Sequence, residues 1–119
     1  MRNFREFNVY IQSMTLCKEI YSISKILPQE ERYGLCSQIQ RAAVSIPSNI
    51  AEGSSRKSDM EFTRFLEISL GSSYELETQL KIAVELNYIK KEDLIMVWDC
   101  LDYVQKGLNS FIGKINQNK

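Results

Sequence analysis

The stretch Gln38-Ile39-Gln40-Arg41-Ala42-Ala43-Val44-Ser45-Ile46-Pro47-Ser48-Asn49-Ile50-Ala51-Glu52-Gly53 is helical by pattern and carries a proline near its centre. Ile39, Ala42, Ala43, Ile46 and Ile50 recur at three- and four-residue steps, so one face is apolar. Gln38, Arg41, Ser45, Ser48, Asn49 and Glu52 recur at the same steps and form an ordered polar stripe. Pro47 has no amide hydrogen, and its ring crowds the carbonyl of Ala43. A helix interior pays about 3 kcal/mol for a proline, so neighbouring groups must compensate. Ser45 and Asn49 are the candidates to bond the freed carbonyl. The apolar row stays in phase on both sides of Pro47, which predicts one helix that bends but does not break.

Outward from this stretch the chain reads as four helices. Helix two begins near Gln29 behind Pro28, a residue suited to a first helical position, and ends at Glu52 with Gly53 as its C-terminal glycine. A short loop over residues 53–57 follows, and Ser58 with Glu61 opens helix three through a capping box. Helix three spans about Asp59–Leu86, with Phe62, Leu66, Leu76, Leu80 and Ala83 as its core row. Its small-residue run Ser69-Leu70-Gly71-Ser72-Ser73 admits close approach of another helix, and Asn87 suits a left-handed stop. Helix four spans about Lys91–Ile115 on the row Leu94, Val97, Leu101, Val104, Leu108, Phe111 and Ile115, with Trp98 at the core edge. Helix one spans about Phe7–Ile26 and carries two apolar rows. Phe7, Tyr10, Met14, Cys17 and Tyr21 form one, and Val9, Leu16, Ile20, Ile23 and Leu27 the other. Short links between long helices predict an all-α, antiparallel, up-down-up-down four-helix bundle forming a single domain over residues 1–119. The surplus row on helix one predicts assembly with further copies, through helix one or the small-residue segment of helix three.

Composition excludes several function classes. The 119 residues are 44% hydrophobic and 25% charged, an ordinary balance for one globular domain. Fifteen basic and fifteen acidic residues cancel, which argues against a strongly basic nucleic-acid coat. Residues 1–57 hold eight basic and five acidic side chains, and 58–119 hold seven and ten, as two differently solvated faces would. Histidine is absent, so neither Ser-His nor Cys-His nucleophilic pairs exist, and the Glu-x-x-His repeats of di-iron bundles are missing. Cys17, Cys36 and Cys100 are odd in number and far apart, which fits buried reduced thiols in a cytosolic protein and no metal site. No stretch has the length of a signal peptide's apolar run or of a membrane span. The expectation is therefore no catalytic residue, no metal, no cofactor, no small-molecule substrate and no membrane partner.

Two constellations remain. If the hairpin folds at residues 53–57, Arg41 stands level with about Ser69, and Glu75 lies within two turns. Arg41 is then expected to be partly buried and paired with Glu75 or Glu52, in its own chain or a neighbour's, the alternative being a phosphate contact. The second constellation is a basic bundle end made by Arg56, Lys57 and Arg64 with Arg2, Arg5, Lys114 and Lys119. It is the nucleic-acid candidate, diluted by Glu6, Glu52, Asp59 and Glu61.

The chain resembles the small four-helix-bundle proteins encoded in intervening sequences of bacterial large-subunit ribosomal RNA genes. The match is carried by Arg41, Ala42, Ser45, Ile46, Pro47, Asn49, Ile50, Ala51, Glu52 and Gly53. Phe65, Leu66, Gly71, Ser72, Glu75 and Leu76 extend it, with Pro28–Leu35 at the start of helix two. The resemblance covers nearly the whole chain. It implies a ring, typically a homopentamer, without established catalytic activity and outside the core ribosome. It also extends to accessory proteins of diversity-generating retroelements, whose rings serve a reverse transcriptase and nucleic acid. The expectation is a cytosolic, non-enzymatic scaffold or binding protein. The alternative is an RNA- or DNA-binding accessory module.

Overall fold

The row Leu94, Val97, Leu101, Val104, Leu108 and Ile115 is buried along its full length, with Phe111 packed against it from a partly exposed position. It belongs to the last of four long helices in the computed structural model, which describes residues 2–117. These are α1 (Asn8–Ser24), α2 (Leu35–Ser54), α3 (Asp59–Glu85) and α4 (Ile95–Gln117). Single 3₁₀ turns stand at Phe4–Glu6, Gln29–Glu31 and Lys91–Leu94, and no strand occurs among the described residues. α3 alone is about 40 Å long at 1.5 Å per residue, close to the 46 Å long axis of the molecule.

One continuous apolar cluster joins all four helices. From α1 it takes Val9, Leu16, Ile20 and Ile23, from α2 Ile39, Ala43, Ile46 and Ile50, and from α3 Phe62, Leu66, Leu76, Leu80 and Ala83. The expected core row of α3 is therefore buried throughout. Two serines the apolar pattern passes over, Ser69 and Ser73, continue that row and are fully buried. At one end Phe111 packs edge to face on both Phe7 and Phe62, with ring centroids 5.0 Å apart for Phe7–Phe111 and 5.5 Å for Phe62–Phe111. Of the two rows on α1, the one holding Leu16 and Ile20 faces the core. Met14 and Tyr21 of the other are 49% and 46% exposed, beside Ile11 at 47%.

The caps show where sequence signals were sufficient. The Ser58 hydroxyl accepts the Glu61 amide at 3.1 Å and opens α3 as an N-cap, one half of the expected capping box. Asn87 takes φ 62° and closes α3 in a Schellman turn, with the Tyr88 amide on the Ala83 carbonyl and the Asn87 amide on the Val84 carbonyl, both at 2.9 Å.

Three expectations about helix two are corrected. Its first turn is not continuous with the rest. Gln29–Glu31 forms a 3₁₀ turn and the α-helix starts at Leu35, because the Glu31 carboxylate folds back and accepts the Leu35 amide at 3.0 Å. Gly34 leaves room for it, since a Cβ there would stand 2.6 Å from Glu31 Oε1. The helix also runs through Gly53 to Ser54, and Gly53 has no positive φ. Gly53 is a packing residue, not a stop: an added Cβ would stand 2.5 Å from the Phe65 Cβ. The third correction concerns the compensation of Pro47. The helix continues through Pro47 as expected, but the carbonyl freed at Ala43 is met by neither Ser45 nor Asn49. The Cys17 thiol of α1 donates to it at 3.0 Å.

Candidate functional site

The polar stripe of α2 faces α3 across an open groove. Ser45 and Ser72 hydroxyls meet at 2.8 Å, and either can donate. Asn49 Nδ2 donates to the Ser45 carbonyl at 2.8 Å and to the Ser45 hydroxyl at 2.9 Å. Ser69, buried on α3, donates to the Ile46 carbonyl at 2.9 Å. With Cys17 on Ala43, three carbonyls around Pro47 thus receive side-chain donors from α1, from α2 itself and from α3. These bonds offset the helix bond that Pro47 cannot make. Ser45, Pro47 and Asn49 therefore come together in one structural network.

The other motif residues stand apart from it. Arg41 is exposed and pairs with no carboxylate among the described residues, against the expectation of a partly buried ion pair. Glu75 is likewise exposed and without an ion-pair or hydrogen-bond partner there. Glu52 pairs with Arg56 at 3.3 Å, one turn on. The register also differs from the expected one. Ser45 meets Ser72 and Ile46 meets Ser69, so Arg41 stands level with about Glu75 and not Ser69. Arg41 and Glu75 line the same groove of about 680 Å³, together with Gln38, Ser72, Thr78 and Gln79. Gln79 is 7% exposed, and its Oε1 is buried without a hydrogen-bond partner. Sequence reasoning missed Gln79 and took Ser69 only as part of a small-residue run, although both fall on the core-row spacing of α3.

The basic end is largely committed within the chain. Arg2 pairs with Asp59, donates to the Arg56 carbonyl at 2.7 Å and lies over the Phe62 ring at 4.6 Å. Arg56, besides Glu52, lies over the Phe65 ring at 4.8 Å, and Arg5 over Phe4 at 4.5 Å. Lys57, Arg64 and Lys114 are exposed, and Lys119 lies outside the described residues.

None of the three cysteines is bonded to another, and all are half-buried instead of fully buried. Burial pushes the Cys17 thiol up to about 11, with nearby Cys100 adding to it, so the proton that bonds Ala43 is firmly held. Burial and the charge of Glu19 push Cys100 up as well. Neither is a reactive thiolate. Among the described residues no group of three or more His, Cys, Asp or Glu side chains is placed to hold a metal, and no helix is long and apolar enough to cross a membrane.

An all-helical protein with a buried proline and a polar stripe on its second long helix is the class these features define. The chain belongs to the 23S rRNA-intervening sequence protein family, whose model matches residues 5–110. A solved structure from Bacteroides thetaiotaomicron, described as a protein with unknown function from the S23 ribosomal protein family, is 28% identical. It covers 87% of this chain and 97% of its own at a TM-score of 0.80. No curated protein matches the chain.

Proposed function

We propose that the chain is a non-enzymatic, cytoplasmic scaffold whose antiparallel up-down-up-down bundle assembles into a closed homo-oligomeric ring, of five copies by the family resemblance. The observation that carries this reading is the groove between α2 and α3. There a free cation at Arg41, a free carboxylate at Glu75 and the unpartnered Gln79 oxygen stand together. Ile68 and Ile82, exposed two turns to either side of Glu75, extend the stripe with apolar surface. Ile11 and Met14 on α1 offer a second, different apolar patch. Two unlike patches on one chain suit head-to-tail contacts, which close into rings. The antiparallel reading is supported by the pairing of α2 with α3, since Gly53 near the end of α2 meets Phe65 near the start of α3 and Ser45 meets Ser72. Light scattering at micromolar concentration is expected to give five times the 13.8 kDa chain mass. A monomer mass overturns the proposal.

A direct nucleic-acid module is the second reading. The family's name ties its members to ribosomal RNA, and a groove at the other end of α2 from Arg56 favours it.

A further inference from the structure

A groove of about 840 Å³ runs between α1 and the start of α2, and its charged lining residues are Lys18, Lys25 and Arg32. All three are exposed, and none makes an ion pair among the described residues. Lys18 and Tyr21 lie on α1 and Lys25 caps its end, at three- and four-residue steps, so the three residues line the groove along one face. Opposite them Tyr33 is 87% exposed, with the Arg32 guanidinium over its ring at 5.5 Å. The nearby acidic residues face elsewhere. Glu31 holds the Leu35 amide and accepts the Tyr88 hydroxyl at 3.0 Å. Glu30 is near enough to Tyr88 to help Glu31 raise that phenol's pKa, and Glu19 acts in the same way on Cys100. The groove is thus cationic in a chain of zero net charge, and it presents two aromatic faces. Gln40 adds an amide to its floor.

We infer that this groove binds single-stranded nucleic acid, with Lys18, Lys25 and Arg32 on successive phosphates and Tyr33 and Tyr21 stacking on unpaired bases. The inference rests on the nucleic-acid reading and moves that reading away from the Arg56 end. Cations that track a backbone, interleaved with exposed aromatic rings, are the elements of sequence-tolerant strand binding. A duplex keeps its bases stacked on one another and offers nothing to the tyrosines. An acidic peptide satisfies the cations but not the rings.

Fluorescence anisotropy with labelled oligouridine tests this on the full chain. Three phosphate contacts give a log–log salt slope of about −2, at roughly 0.7 per phosphate for single strands. Replacing Lys18, Lys25 and Arg32 together by glutamine is expected to bring the slope close to zero. Tyr33→Ala is expected to weaken binding about ten-fold with the slope unchanged, the effect of losing one stacked base. A duplex of equal length and polyglutamate are both expected to compete poorly. Replacing Arg56 and Lys57 by glutamine leaves binding in place. Lys18, Lys25, Arg32 and Tyr33 are exposed, and circular dichroism melts of the groove variants are expected to be parental. If the parent chain fails to bind at low salt, the nucleic-acid reading falls together with the groove. If it binds and the triple variant binds equally with the parental slope, the groove assignment alone falls. Equal competition by duplex or by polyglutamate overturns the stacking role.

Discussion

Cys17 shows how much one weak donor does when its acceptor has no other partner. A thiol bond is a modest interaction, but the Ala43 carbonyl has lost its helix donor to Pro47 and lies against the core. Leaving such a carbonyl unsatisfied costs about 1–3 kcal/mol, and a sulfur donor puts Cys17→Ala at the lower end. Cys17→Ser keeps a donor and is expected to lose less, as chemical denaturation would measure. The two side chains also differ with pH. The folded thiol titrates near 11 against an ordinary 9.0, so the folded state keeps its proton while the unfolded chain gives it up. The stability this proton contributes is therefore complete below about pH 9 and declines as pH rises to about 11. Denaturation curves for the parent are expected to show that alkaline decline beyond whatever Cys17→Ser shows. Superimposable pH profiles for the two would rule out the thiol as the source.

At the scale of elements, periodicity was legible and pairing was not. The buried rows of α3 and α4 follow from three- and four-residue spacing, because burying an amphipathic face dominates a helix's position. Ser58 and Asn87 were legible because their cap chemistry is local. Gly53 was read as a helix stop because a glycine after a periodic run serves that purpose in many helices. Here it serves the distance between α2 and α3, which depends on Phe65, twelve residues away. The same gap in knowledge misplaced Arg41 along α3: it stands level with about Glu75 instead of Ser69. Gly53→Ala tests the spacing directly. Its methyl group must displace the Phe65 Cβ, with the Phe62 ring 3.2 Å away, and overpacking of this kind costs about 1–3 kcal/mol. Gly71→Ala meets nothing within 4 Å and, by replacing glycine inside a helix, is expected to stabilise the isolated chain by about 0.5–1 kcal/mol. Thermal melts that rank the two variants in the opposite order would refute this account of Gly53.

For the whole molecule the consequential residues are those the single chain leaves unsatisfied. Arg41 and Glu75 contribute little to the fold, so reversing either charge is expected to change chain stability by less than about 0.5 kcal/mol. In the proposed ring their effect belongs to assembly. Arg41→Glu and Glu75→Arg are each expected to reduce the oligomer mass in light scattering. Single variants that keep the parental mass would remove this groove from the contact. In the proposed ring the α1–α2 groove is repeated in every copy. Several weak strand sites on one rigid particle act at high effective concentration, so a long strand can be held far more tightly than a short one.

The contact between Cys17 and Ala43 joins the histories of two positions thirty residues apart. Pro47 is tolerable because α1 delivers a proton to the carbonyl that the proline orphans. A lineage that exchanges Pro47 for alanine regains its own amide there and relaxes the demand on position 17. A lineage that first exchanges Cys17 for valine carries the proline as a burden. Substitutions at these two sites therefore have an order in which they are easy and an order in which they are hard. That dependence reflects neither residue's own propensity but a single oxygen that belongs to a third.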